Sequence, residues 1–94
     1  MFYSKKDYKF VKFEKSHIKT KKYNAVIQNK KTGREVRIPF GARGYEHYKD
    51  STDLKLYSSK DHGDTKRRKN YRARHIHDDI KNYSPGFFAW YYLW

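Results

Sequence analysis

Leu, Ile and Val together number only 11 in 94 residues, so any core this chain builds has to be made largely of aromatic rings. Adding the six Phe brings the total to 17, about 18% of the chain. That lies below the roughly 20% which, with a high net charge, marks disorder. The net charge is indeed high, at +13 from 23 Lys/Arg and 10 Asp/Glu. Ten Tyr, six Phe and two Trp stand against disorder, because one such ring can bury roughly 150–250 Å². The balance predicts a single thin domain over residues 1–94. A chain this short buries only about 60–65% of its unfolded surface, so the expectation is a fold that gains stability from a partner.

Composition removes several functional classes. With no cysteine, disulfide scaffolds, Cys-type zinc fingers and thiol chemistry are excluded. No apolar run approaches 18 residues, so no membrane span is expected. The segment Met1-Phe2-Tyr3-Ser4-Lys5-Lys6 has no apolar stretch of the kind a secretory signal needs. A soluble or assembly-bound protein is expected. The charge of +13 implies an anionic partner: nucleic acid, an acidic protein surface or an anionic membrane surface.

The pattern predicts an α+β fold, with a small antiparallel β-sheet of two or three strands over residues 8–40. Tyr8–Phe13 is aromatic and β-branched with imperfect alternation. Residues 1–22 read as a basic N-terminal arm or an extra strand. Tyr23–Gln28 is a second run, and Val36, Ile38 and Phe40 alternate cleanly in a third. Asn29-Lys30-Lys31-Thr32-Gly33 between them suits a turn closed by Gly33 in the left-handed region, with a bulge. Pro39 has no N–H for a ladder, so its strand is an edge or ends there. Gly41-Ala42-Arg43-Gly44 is expected to break the sheet. In 45–63, Tyr45, His47, Tyr48, Leu54, Leu56 and Tyr57 are candidates to pack on it, and Asp50–Asp53 reads as a turn.

A basic helix is expected over 64–82. Asp64 is its N-cap, and Ala73, Ile76, Ile80 and Tyr83 fall on one helical face. Asp78 and Asp79 sit at its C-terminal end, where the macrodipole disfavours them, with Arg74 and His75 one turn earlier to offset them. Ser84-Pro85 is a second start signal, opening a short aromatic helix over 85–94. The stretch Phe87–Trp94 has no charge and must be covered by its own sheet, another copy or another protein.

Three constellations carry possible chemistry. Lys66, Arg67, Arg68, Lys69, Arg72 and Arg74 fill less than three helical turns without an acid between them. Such a surface attracts phosphate, docks on acidic protein, or is simply solvated. Arg67 and Arg74 share one side of the helix, Arg68 and Arg72 another. In the strands, Lys9, Lys12, Lys15, Lys19, Lys21 and Lys22 interleave with Tyr8, Phe10, Phe13 and Tyr23. Single-strand binders use this pattern, but rings in the core with lysines in water is the preferred reading, because core residues are scarce. Asp61-His62, Asn70 and His75 echo the order of an HNH-type metal nuclease. Seven residues between His62 and Asn70 leave no room for its hairpin, and His75 and His77 face different sides of a helix. No metal or other cofactor is expected. No Gly-rich phosphate loop is present, no nucleophile–base pair is legible, and no enzymatic activity is expected.

Several pieces together resemble a family of small basic proteins of unknown function from large DNA viruses of algae and protists. They are Ile38-Pro39-Phe40-Gly41, Tyr45-Glu46-His47-Tyr48, Leu56-Tyr57-Ser58, Asp61-His62-Gly63-Asp64 with Lys66-Arg67-Arg68 and Tyr71–His75, and Ser84-Pro85-Gly86 with Trp90 and Leu93-Trp94. The first 22 residues lie outside the resemblance, which implies a viral context, a virion or an infected host cell, and assigns no catalytic residue. In that context the expected function is a minor capsid or cement-type virion component. Phe87, Phe88, Trp90, Tyr91 and Trp94 would dock a partner, with Trp90 and Trp94 as anchors. The basic patch would meet other viral structural proteins or another acidic protein surface, and self-association is also open. The alternative is a viral DNA- or RNA-binding protein, with the helix at 66–74 on phosphate.

Overall fold

The turn at 29–33 sets the register of a three-stranded antiparallel sheet. Asn29 Oδ1 accepts from the amides of Lys31 and Thr32 at 2.9 and 3.0 Å, and Gly33 closes the turn at φ +74°. The left-handed region costs glycine least. The computed structural model describes residues 3–77 and 81–94. It is α+β, with strands β1 (Tyr8–Lys15), β2 (Lys21–Asn29) and β3 (Glu35–Ala42) in the order β1-β2-β3. A single 3-10 turn at Ser58–Lys60 and helices α1 (Thr65–Arg74) and α2 (Pro85–Tyr92) follow. Within 1–22, read as an arm or an extra strand, residues 8–15 form β1, the first strand of the expected sheet.

The imperfect alternation of β1 has a physical form. The β1–β2 register slips between Phe10 and Lys12. A bulge resets which face a side chain occupies, so Phe10 and Phe13 reach the same side, with ring centroids 4.8 Å apart. Val11 is left exposed. Pro39 lies on β3, an edge strand of the described sheet, opposite Asn24. There its missing N–H breaks no ladder, and β3 continues to Ala42.

One sheet face carries Phe13, Tyr23, Ala25, Ile27, Ile38 and Phe40, all buried. Helix α2 lies on it. Phe88 stands 5.6 Å from Phe40 and 6.0 Å from Phe13, and Tyr92 stands 4.7 Å from Phe13. One side of the uncharged tail is therefore covered by the chain's own sheet. Ser84 caps α2, its Oγ accepting from the Phe87 amide at 3.1 Å, and Pro85 occupies the first turn. Gly41 sits at φ +78°, and a Cβ there would come within 2.9 Å of Leu93. Glycine at this position lets the tail close on β3.

Two expectations are corrected. The basic helix ends at Arg74, not near residue 82. Beyond it, Tyr83 exchanges backbone hydrogen bonds with Tyr3, both 2.9 Å, and a chain returning to pair with the N-terminal segment cannot stay helical. The proposed face of Ala73, Ile76, Ile80 and Tyr83 is not a face of α1, which ends at Arg74. Ile76 is 61% exposed, and Asp78, Asp79 and Ile80 lie outside the described residues. Of the loop residues expected on the sheet, Tyr57 packs on Tyr23 with centroids 5.2 Å apart. Tyr45, Leu54 and Leu56 stay exposed.

Phe88→Ala removes a ring in contact with six others, and should lower the unfolding free energy by about 3–5 kcal/mol in denaturant titration. Ile76→Ala should change it by less than about 0.5 kcal/mol; a larger loss would mean that the face is buried after all.

Candidate anion-binding cleft and its buried support

Helix α1 starts where the sequence predicts. Asp64 Oδ1 accepts from the amides of Lys66 and Arg67 at 2.9 and 3.2 Å, which satisfies two of the free donors at the helix start. Helical spacing then divides the basic residues by face. Arg68 and Arg72 turn toward the aromatic tail. Arg68 Nε donates to the backbone oxygen of Trp94 at 2.6 Å, and its guanidinium lies 4.8 Å from the Tyr48 ring centre. The Arg72 guanidinium sits 5.0 Å from the Trp90 ring centre. Its Nε is buried without a hydrogen-bond partner among the described residues. Burial, then the charge of Arg68, disfavours the charged form of Arg72.

Arg67 and Arg74 turn the other way and line a cleft of about 450 Å³ between α1, the start of β2 and the end of α2. Lys21, Tyr45, Glu46 and Trp94 also line it. A second hollow of about 580 Å³ shares Arg67, Arg74 and Trp94 as its wall. Of the described residues lining the first cleft, Glu46 alone is a carboxylate, and it pairs with Arg67 at 3.1 Å. Lys66 and Lys69 are exposed. The six basic residues are thus not one surface: two hold the tail and four face solvent or the cleft.

The aromatic residues expected to dock a partner are likewise divided. Phe87 and Phe88 are buried in the core, so they have no ring surface to offer a partner, and their docking role is corrected. Trp94 stacks on Tyr71, with centroids 4.3 Å apart and planes 6° from parallel, and His62 packs on it at 5.1 Å. Trp90 is half-buried and holds Arg72, and only Tyr91 is more than half exposed.

Beneath the cleft lies a buried polar array that the sequence does not announce. Lys22 is 2% exposed. Its Nζ donates to the backbone oxygen of Tyr45 at 2.7 Å and to His47 Nδ1 at 2.8 Å. An ammonium faces Nδ1, so the imidazole proton sits on Nε2, which donates to Asp61 Oδ1 at 2.6 Å. Asp61 also accepts the Asp50 amide at 2.8 Å. Asp50 in turn takes the Tyr23 hydroxyl at 2.5 Å, the Thr52 amide and hydroxyl, and the Tyr57 amide. Burial alone would raise the Asp50 carboxyl, but the hydrogen bonds from Thr52 and Tyr23 outweigh it and hold the group below its ordinary value. In place of a regular turn over Asp50–Asp53, Asp50 holds Thr52 by side-chain hydrogen bonds and the chain bends over 52–54.

The expected strand pattern also needs one correction. Lys9, Lys12, Lys15 and Lys19 are in water and the rings are inside, as read, but Lys22 belongs to the interior. Periodicity could not reveal this, because the partner His47 is 25 residues away. The HNH-like set is not assembled: Asp61 serves His47, while His62 packs on Trp94. Among the described residues, no group of three or more His, Asp or Glu is placed to hold a metal ion. No described helix is long and apolar enough to cross a membrane.

The array makes stability depend on pH. Burial pushes the Lys22 ammonium down to about 8 from 10.5. Burial, then the Lys22 charge, lowers His47 from 6.5. Both groups hold protons less tightly folded than unfolded, so stability rises with pH through each window. The thermal midpoint should fall as pH drops below 6.5, and should climb between about 8 and 10. Above that the trend reverses, because burial raises Tyr23 from 10.0 to about 12. Lys22→Met should abolish the climb above pH 8; if it persists, Lys22 is not its source. Comparisons with protein families, curated proteins and solved structures found no match for this chain.

Proposed function

We propose that this chain is a nucleic-acid-binding module that holds the phosphate backbone along α1 and its adjoining cleft. The observation that carries the reading is the division of α1. Arg68 and Arg72 are engaged with the tail, whereas Lys66, Arg67, Lys69 and Arg74 stay on the outer side against one carboxylate, Glu46. A cationic wall at a cleft suits a polyanion. Under the resemblance to small viral proteins, the polyanion would be a viral genome or its transcripts.

The cement-type reading draws less support. It relied on the tail as a docking element, and Phe87, Phe88 and Leu93 are buried in the chain's own core. Catalysis also lacks geometry. Both ring nitrogens of the fully buried His47 are bonded to side chains of the chain itself. That arrangement holds the loop in place and leaves no nitrogen for a substrate.

Affinity for nucleic acid should fall steeply as salt rises. Lys69→Ala and Arg74→Ala should each reduce the slope of log affinity against log salt by about 1. Arg68→Ala should instead lower the unfolding midpoint, by about 1–3 kcal/mol in free energy, since it removes a charge-assisted hydrogen bond to the tail. Binding that ignores salt, or slopes that change only in Arg68→Ala, would sink the reading.

A further inference from the structure

We infer that the cleft takes single-stranded nucleic acid, with one unpaired base stacked on Tyr45 and the flanking phosphates on Lys21, Arg67 and Arg74. This inference rests on the nucleic-acid reading and narrows it.

The ring comes first. Of the described aromatic residues, only Tyr45 and Tyr91 are more than half exposed, at 73% and 52%. A chain with so few core residues leaves almost no ring in water, and Tyr45 is the one at the cleft rim. Its position is fixed from behind, since its backbone oxygen accepts the Lys22 ammonium and its amide donates to Ala42. An anchored, exposed ring beside cationic groups is the stacking platform of single-strand binders.

Size and charge agree. About 450 Å³ falls within the roughly 300–1,000 Å³ of small-ligand sites, which suits a nucleotide unit and not a duplex. Among the described residues, the side chains of Lys21 and Arg74 make no hydrogen bond or ion pair, so both are open to phosphate. Arg67 is shared with Glu46 at 3.1 Å, on exposed side chains. A phosphate must displace that carboxylate, so Glu46 opposes binding.

Duplex reading by α1 fits less well. A recognition helix enters a major groove about 12 Å wide and presents its side chains to base edges. Here Arg68 and Arg72 face Tyr48, Trp94 and Trp90. A duplex also keeps its bases stacked and offers Tyr45 nothing to stack on.

The test is fluorescence anisotropy of the full chain with labelled oligo(dT), about ten nucleotides long, against a hairpin duplex of equal charge. Wild type should prefer the single strand. Tyr45→Ala should weaken it about 5- to 150-fold, the stacking value of one base, with an unchanged thermal midpoint. Tyr45→Phe should restore binding, and Glu46→Gln should tighten it. Equal affinity for the duplex, or wild-type binding by Tyr45→Ala, would overturn the stacking inference and leave phosphate binding standing. No salt-sensitive binding to either oligonucleotide would overturn both.

Discussion

The rest of the structure depends on one buried lysine. Lys22 lies on the central strand, where a charge is expensive to bury. It is tolerated because Tyr45, His47 and, through His47, Asp61 converge on it. Those three residues lie in the long irregular stretch between β3 and α1. The hydrogen bonds of Lys22 Nζ thus make that stretch part of the fold, together with Tyr23 and Asp50 next to it. The same stretch receives the tail, since the amides of Lys49 and Ser51 donate to the backbone oxygens of Leu93 and Tyr92 at 3.1 and 2.8 Å. Remove the central charge partner and the loop, the tail and the seat of α1 lose a common support.

Charge and aromatic rings, the two excesses of this composition, answer each other. The tail's Phe87, Phe88 and Leu93 fill the sheet. Its outward rings, Trp90 and Trp94, are met by Arg72 and by Tyr71 with the Arg68 guanidinium nearby. Guanidinium groups over ring faces need less desolvation than ammonium groups would, so arginines stand on the tail-facing side of α1. The lysines of that helix, Lys66 and Lys69, stay in water.

What could be read in advance was local, and what could not was long-range. Asn29 with Gly33, Asp64 before α1, and Ser84-Pro85 before α2 each act within four residues, and each forms as the sequence indicates. The side-sharing of Arg67 with Arg74 and of Arg68 with Arg72 followed from helical geometry alone. The end of α1 was misjudged because the pairing of Tyr83 with Tyr3 spans 80 residues. Lys22 looked like its neighbour Lys21, and nothing within a few residues separates them. Tyr45 was expected on the sheet because its type suggests burial, yet 73% of it is exposed.

The placement of the two tryptophans gives the molecule a built-in optical reporter. Trp90 lies under Arg72 and Trp94 lies flat on Tyr71, so both emitters sit on the seam between α1 and α2 and neither is in the sheet. Intrinsic emission will therefore follow the parting of that seam. Far-ultraviolet dichroism will follow the strands and helices as a whole. If the seam opens before the sheet melts, the two signals will separate on heating, and emission will register the earlier event without any label.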